Sequence, residues 1–212
     1  MSNSAFTPPS SWLSKKAIHE HAGSFADLAT QRLPELQRML DRQIANPLPL
    51  SLFAASNTGS AALSSNIQIQ SHLKVVSEAH ADAKEHTSKL RLEAGKRADP
   101  HDFAGVYVFV SDDRPFYVGI TRTIYRRLQA HVRNRNHNAA SLLFNMVRED
   151  AQHKGLRGEL DFNSDRALKI QAWLQSQSVA ILPLACPVER YAFELYAAMT
   201  LKTGVWNTFE TH

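Results

Sequence analysis

GVYVFVSDDRPFYVGIT, residues 105–121, holds two apolar runs around a short polar turn. That pattern predicts a β-hairpin with strands over 106–110 and 116–120. Side chains alternate faces along a strand. If Val110 opposes Phe116 across a five-residue loop, Phe109 faces Tyr117 and Tyr107 faces Gly119. Tyr107 and Tyr117 then become diagonal neighbours on one face, about 7–8 Å apart. Gly119 leaves room beside Tyr107, and a strand glycine marks the close approach of a ligand or another backbone. Val106, Val108 and Val110 fill the opposite face. As a pattern of two tyrosines and one glycine, this also suits plain packing.

The segment that follows, TRTIYRRLQAHVR (121–133), predicts a helix with Thr121 at its start. Ile124, Leu128 and Val132 form its apolar stripe. Arg127 and His131 stand one turn apart, next to the sheet that the helix covers. A guanidinium fork suits phosphate, and an imidazole can carry a proton near neutral pH.

Charge is distributed unevenly. The net charge is +4. Between Arg114 and His137 there are six arginines and no acidic residue, and the next acid after Asp113 is Glu149. The first hundred residues carry 11 basic against 9 acidic side chains, and residues 139–212 carry 7 against 8. Positive charge concentrated in one segment fits a polyanionic partner. Apolar residues make up 43% of the chain, enough for a core. No apolar run approaches the ~20 residues that a membrane span needs, and the N-terminus lacks a secretory h-region. The single cysteine, Cys186, excludes an internal disulfide and a multi-cysteine zinc site. A cytoplasmic location is the expectation.

The rest of the chain divides near Asp99-Pro100. Residues 1–98 read as a helical N-terminal extension of unknown role. It holds a helix over 24–43 with Ser24 as N-cap and Leu33, Leu36 and Leu40 on one face, a loop or hinge near 46–66, and a second helical stretch over 67–97. Pro34 suggests a break after Arg32. An oligomer or protein contact through these helices is expected. Residues 99–212 read as β-β-α-α-α-β-α. The third strand is SVAILPLA (178–185), at the sheet edge or ending at Pro183, and the last helix spans 188–202. The predicted class is α/β: a small three-stranded mixed or antiparallel sheet flanked by helices, with an α-helical N-terminal region. Trp173 and Trp206 are expected in the core.

GVY (105–107), YVG (117–119), Thr121, Ile124, Arg127, Leu128 and His131 together resemble the signature of the GIY-YIG nuclease family, with valine for isoleucine in both triplets. The likeness runs over about 27 residues with its spacing intact. ELYAAMTLKTGVWN (194–207) supplies the glutamate and asparagine that the family carries downstream, as Glu194 and Asn207. Glu189 and Glu210 compete for the acid role, but Glu194 has the family's placement. The resemblance extends over about 103–209.

It implies a metal-dependent endonuclease cutting phosphodiester bonds in DNA, with RNA not excluded as a partner. The implied site is Tyr107, Tyr117, Arg127, His131 and Glu194, with Gly119 and Asn207 in support. Glu194 would hold one Mg²⁺ or Mn²⁺ ion, and Arg127 would clamp the scissile phosphate. Tyr107 or His131 would act on the attacking water, and Tyr117 would orient groups. Arg122, Arg126, Arg133 and Arg135 would follow flanking phosphates. The alternative is a nucleic-acid-binding or repair-associated protein that retains the fold without cutting.

Overall fold

The structure is a computed structural model that describes residues 24–55, 58–93, 99–133, 141–152 and 161–207. Its elements are α1 (Leu33–Ile44), β1 (Leu48–Pro49), α2 (Ile67–Lys74), α3 (Ser77–Glu93), β2 (Gly105–Ser111), β3 (Arg114–Thr121), α4 (Ile124–Arg133), α5 (Ser141–Asp150), α6 (Asp165–Gln175), β4 (Ser178–Pro183) and α7 (Pro187–Thr200). The strands form one antiparallel sheet in the order β1-β4-β2-β3. No helix among the described residues is long and apolar enough to cross a membrane.

The hairpin register places Tyr107 opposite Gly119 and Phe109 opposite Tyr117, as the alternation predicts. Its turn is tighter than the expected five residues. Ser111 pairs with Arg114, and only Asp112 (φ 47°) and Asp113 (φ 61°) lie between them. Two successive positive φ values make the primed turn whose twist suits a hairpin. Aspartate tolerates the left-handed region better than most residues. A bulge between Phe109 and Val110 absorbs the difference in length, so Val110 pairs with Pro115 and Phe116 is the extra residue.

Among the described residues the sheet has four strands where three are expected. The added strand is Leu48–Pro49, inside the segment read as a loop or hinge. Two residues ending in proline carry no alternation to detect. Proline also fits an edge, where no ladder donor is needed. The same segment continues into a 3₁₀ turn at Leu50–Phe53 and a short helix at Ser60–Ser64. Pro183 does end its strand, at the level of Gly105. A Cβ at Gly105 would sit 2.5 Å from the Leu182 carbonyl oxygen, so β2 and β4 need a glycine there.

Pro34 does not break its helix. A π-helical turn at Leu28–Arg32 precedes it and runs directly into α1. Ser24 caps the start of this segment, accepting from the Asp27 N–H at 3.1 Å. Leu33, Leu36 and Leu40 are buried as their spacing predicts. They belong, with Leu50, Phe53 and Ile69, to the same continuous core as Val106, Val108, Ile181 and Phe193. The apolar stripe of α1 is therefore spent inside the chain.

Polar contacts reinforce that packing. Ile181 N–H, on the side of β4 that β1 is too short to cover, donates to His72 Nε2 at 3.1 Å. The other ring nitrogen of His72 meets the Asn46 carbonyl at 3.1 Å. Thr87 Oγ1 accepts from Ala104 N–H at 2.9 Å, just before β2. Arg133 donates to the carbonyls of Phe53, at 3.0 Å, and Ala55, and Gln129 donates to that of Thr58 at 2.5 Å. The helix carrying Arg127 and His131 is thus fastened to the N-terminal region. Trp173, expected in the core, is 44% exposed and lies against Phe116 at the hairpin end, with ring centroids 5.5 Å apart.

Because the core is shared, a chain starting at residue 99 should lose the sharp thermal transition of the full chain. It should also bind a dye for exposed apolar surface. An equally sharp transition at the same Tm in the shortened chain would show that residues 24–93 add nothing to the fold.

Candidate active site

Helix α4 is set in place from outside its own sequence. Asp102, 1% exposed, accepts from the backbone N–H groups of Tyr125 (2.9 Å) and Arg126 (3.2 Å), and from its own neighbour Phe103 (2.9 Å). These are first-turn donors that lack partners within a helix. A carboxylate also complements the positive helix end. The Ile124 N–H donates to the Phe103 carbonyl at 2.8 Å. Thr121, the expected cap, instead accepts from Thr123 N–H at 3.1 Å and shapes the turn before the helix.

So anchored, α4 lays Arg127 and His131 over the tyrosine face of the hairpin. The His131 ring lies 5.5, 5.2 and 6.0 Å from the rings of Tyr107, Phe109 and Tyr117. Tyr107 Oη and His131 Nε2 are 2.8 Å apart. Arg127 Nε donates to the same phenol oxygen at 3.3 Å, and Arg127 also hydrogen-bonds to Tyr117. The two tyrosine rings are 6.1 Å apart. The space beside Gly119, open to a ligand on the sequence reading, is filled by Tyr107 itself: a Cβ at 119 would collide with the phenol ring and its oxygen. Glycine is required there because the neighbouring strand's side chain crosses over it.

Burial sets the electrostatics. Tyr107 and His131 are 0% exposed. Desolvation pushes the Tyr107 phenol well above its usual range, with the neighbouring phenol adding to the rise and Arg127 opposing it. Desolvation holds the His131 imidazolium well below its usual range, and the Arg127 charge acts in the same direction. Both groups are neutral at rest. His131 Nδ1 has no hydrogen-bond partner among the described residues, an uncommon and costly state for a buried ring nitrogen.

Glu194 approaches from the open edge of β3. Its carboxylate accepts from the Ile120 N–H, and burial raises its pKa to about 7 against the pull of that bond and of Arg127. It lies close enough to Tyr117 to oppose ionisation of that phenol. Two residues along the same edge, Asn207 accepts from Val118 N–H at 2.9 Å and donates to the Val118 carbonyl at 2.6 Å. Its side-chain amide thus pairs with the strand as a neighbouring peptide would. Thr203 Oγ1 donates to the Asn207 oxygen at 2.9 Å, tying this contact to the end of α7. Glu189, the nearer competitor, is engaged by Arg32 at 3.1 and 3.3 Å. Glu210 lies outside the described residues.

Tyr107, Tyr117, Arg127, His131 and Glu194 therefore converge, with Gly119 and Asn207 as backbone-level supports. The flanking arginines divide. Arg122 and Arg126 are exposed. Arg133 is turned onto the Phe53 and Ala55 carbonyls, an anchoring role that no sequence pattern distinguishes from phosphate binding. Arg135 lies outside the described residues. Sequence reasoning missed Asp102, whose only signal is an acid preceding an apolar strand.

The family model of the GIY-YIG catalytic domain matches residues 103–157. The matched segment contains both tyrosine triplets and all of α4. The α/β architecture built on it is the GIY-YIG fold, a nuclease fold. No curated protein and no solved structure matches the chain.

Burial raises the Asp102 pKa to about 6, above its ordinary 3.8. The folded state therefore holds the proton more tightly, and this group's contribution to stability falls as pH rises from about 4 to about 6. Asp102→Asn should flatten that part of the stability–pH curve. Asp102→Ala, losing the cap, should lower stability by about 0.5–2 kcal/mol. Thermal unfolding across this pH range checks both. A curve for Asp102→Asn with the wild-type slope would show that the slope comes from another group.

Proposed function

We propose that the protein is a divalent-metal-dependent endonuclease hydrolysing phosphodiester bonds in DNA. The observation that carries the reading is the meeting of the Arg127 guanidinium, the Glu194 carboxylate and the Tyr107–Tyr117 phenol pair on one side of the hairpin. Packing alone gives no reason to bury part of a carboxylate and a guanidinium beside two phenols.

The donor set suits one hard cation. Glu194 is a half-buried carboxylate, and among the described residues no group of three His, Cys, Asp or Glu could hold a metal by itself. Mg²⁺ commonly binds through one or two carboxylates together with substrate phosphate and water. Glu194 would hold Mg²⁺ or Mn²⁺, which when bound offsets phosphate charge and stabilises the leaving oxygen. Arg127 donates to phosphate oxygens as charge builds on them. Its present bonds to two phenols aim the guanidinium at the site.

Tyr117 is the more exposed of the two tyrosines and orients the attacking water. Tyr107 sits behind it, bonded to His131. A proton leaving the water has a path through the Tyr117 hydroxyl and the Tyr107 hydroxyl, which are hydrogen-bonded to each other, to Nε2 of the neutral imidazole. His131 has no exposed surface and acts only through Tyr107. Arg122 and Arg126 contact flanking phosphates.

One observation favours the second reading, a nucleic-acid-binding protein that does not cut. Tyr107 and His131 are both sealed from solvent and both shifted away from their charged forms.

Incubation of the full chain with plasmid and oligonucleotide substrates, in DNA and RNA form, with Mg²⁺ or Mn²⁺ separates the two. Cleavage is expected with metal and not with chelator. Arg127→Ala should be slower by about 10²–10³-fold, and Glu194→Ala should lose metal-dependent cleavage. Salt-sensitive binding without cleavage supports the second reading. Undiminished cleavage in both variants overturns the site.

A further inference from the structure

A cationic cleft opens beside Glu194. It has a volume of about 240 Å³ and is lined by Ile120, Thr121, Arg122, Pro187, Arg190 and Tyr191. Ile120 is the residue whose N–H binds the Glu194 carboxylate, so the cleft borders the site directly. Arg190 is 3% exposed. Its Nη1 donates to the carbonyls of Leu184 (2.8 Å) and Ala185 (2.6 Å), which hold the guanidinium at the wall of the cleft. Among the described residues, no carboxylate pairs with Arg190 or Arg122. The two guanidinium groups are close enough that Arg122 disfavours the charge on Arg190, adding to the cost of burial. A buried cation that no carboxylate among the described residues pairs with, lining a cleft together with a second cation, is arranged for an anion from outside the chain.

Tyr191 adds the second half of a ligand. Tyr191 is 65% exposed and lines the cleft. It stands one residue beyond Arg190 and three before Glu194, so the cleft and the carboxylate are about one helical turn apart, roughly 5.4 Å along α7. That is the scale of one nucleotide step. An exposed aromatic ring beside an anion site can take a base face while the cations take its phosphate.

We propose that the Arg122–Arg190–Tyr191 cleft holds the nucleotide next to the scissile phosphate, with its phosphate on the two guanidinium groups and its base unstacked onto Tyr191. The inference rests on the nuclease reading for its register. It deepens that reading by naming the substrate as DNA that is single-stranded or easily unstacked next to the cut. A base held within a continuous duplex stack cannot present its face to Tyr191.

The test measures binding separately from cutting. Single-stranded and duplex DNA oligonucleotides carrying 2-aminopurine are titrated against the full chain in chelator, over a range of salt. Tyr191→Ala should weaken single-strand binding about 10- to 100-fold and abolish the change in 2-aminopurine fluorescence. Tyr191→Phe should preserve both, and duplex binding should change little. Arg122→Ala should weaken binding and lower the salt slope by about 1. Arg190 is left intact because it also ties two backbone carbonyls. Equal single-strand affinity and fluorescence in Tyr191→Ala and the parent overturn the cleft, while cleavage by the parent leaves the nuclease reading standing. Tyr191-dependent binding in a chain that cuts nothing supports the cleft and overturns the nuclease reading. A parent that binds no oligonucleotide in chelator overturns the cleft, and its cleavage of the same oligonucleotides with Mg²⁺ decides the nuclease reading separately.

Discussion

The site depends on a phenol that crosses a glycine. Tyr107 can lie flat over β3 only because position 119 has no side chain, and from there its hydroxyl meets His131 and Arg127 together. The helix that supplies those two residues is fixed in turn by Asp102 at its first turn and by Arg133 and Gln129 near its other end. Each link is a contact between segments distant in sequence. A small displacement of α4 would break the Tyr107–His131 and Arg127–Tyr107 bonds together.

The edge of β3 carries the other half of the arrangement. An edge strand exposes backbone donors and acceptors that invite pairing with another chain. In this protein the Val118 groups are taken by Asn207, and the Ile120 N–H by Glu194. The same strand presents Tyr117 toward the site from its face. One eight-residue strand thus fixes the distance between phenol and carboxylate, and protection of the edge and assembly of the site are the same structural event. The N-terminal region takes part as well, through the Arg32–Glu189 pair that ties it to α7, the helix that carries Glu194.

Much of this was legible in the sequence because period-two alternation and helical spacing are local. The opposition of Tyr107 with Gly119, and the stacking of Arg127 and His131 on one helical face, follow from counting residues. The tight turn was not legible, since Asp112 and Asp113 adopt positive φ where glycine is the usual signal. Nor was β1, too short to alternate. Arg133 reads like its neighbours 122 and 126, and only the fold shows it donating to carbonyls of residues 53 and 55. Trp173, expected in the core, covers the hairpin end at the surface. The shared core of the N-terminal helices with the sheet was hidden for the same reason: an apolar stripe says that a face is buried, and not against what.

The central claim is that one volume, bounded by Arg127, Tyr117 and Glu194, accepts both a phosphate and a divalent cation. Anomalous diffraction from crystals of the full chain grown with Mn²⁺ and a non-cleavable phosphorothioate oligonucleotide tests it directly. The account predicts one manganese peak on the Glu194 carboxylate, with a substrate phosphate between it and the Arg127 guanidinium. A manganese ion and phosphate bound together elsewhere on the protein, with Glu194 still bonded only to the Ile120 N–H, would contradict it.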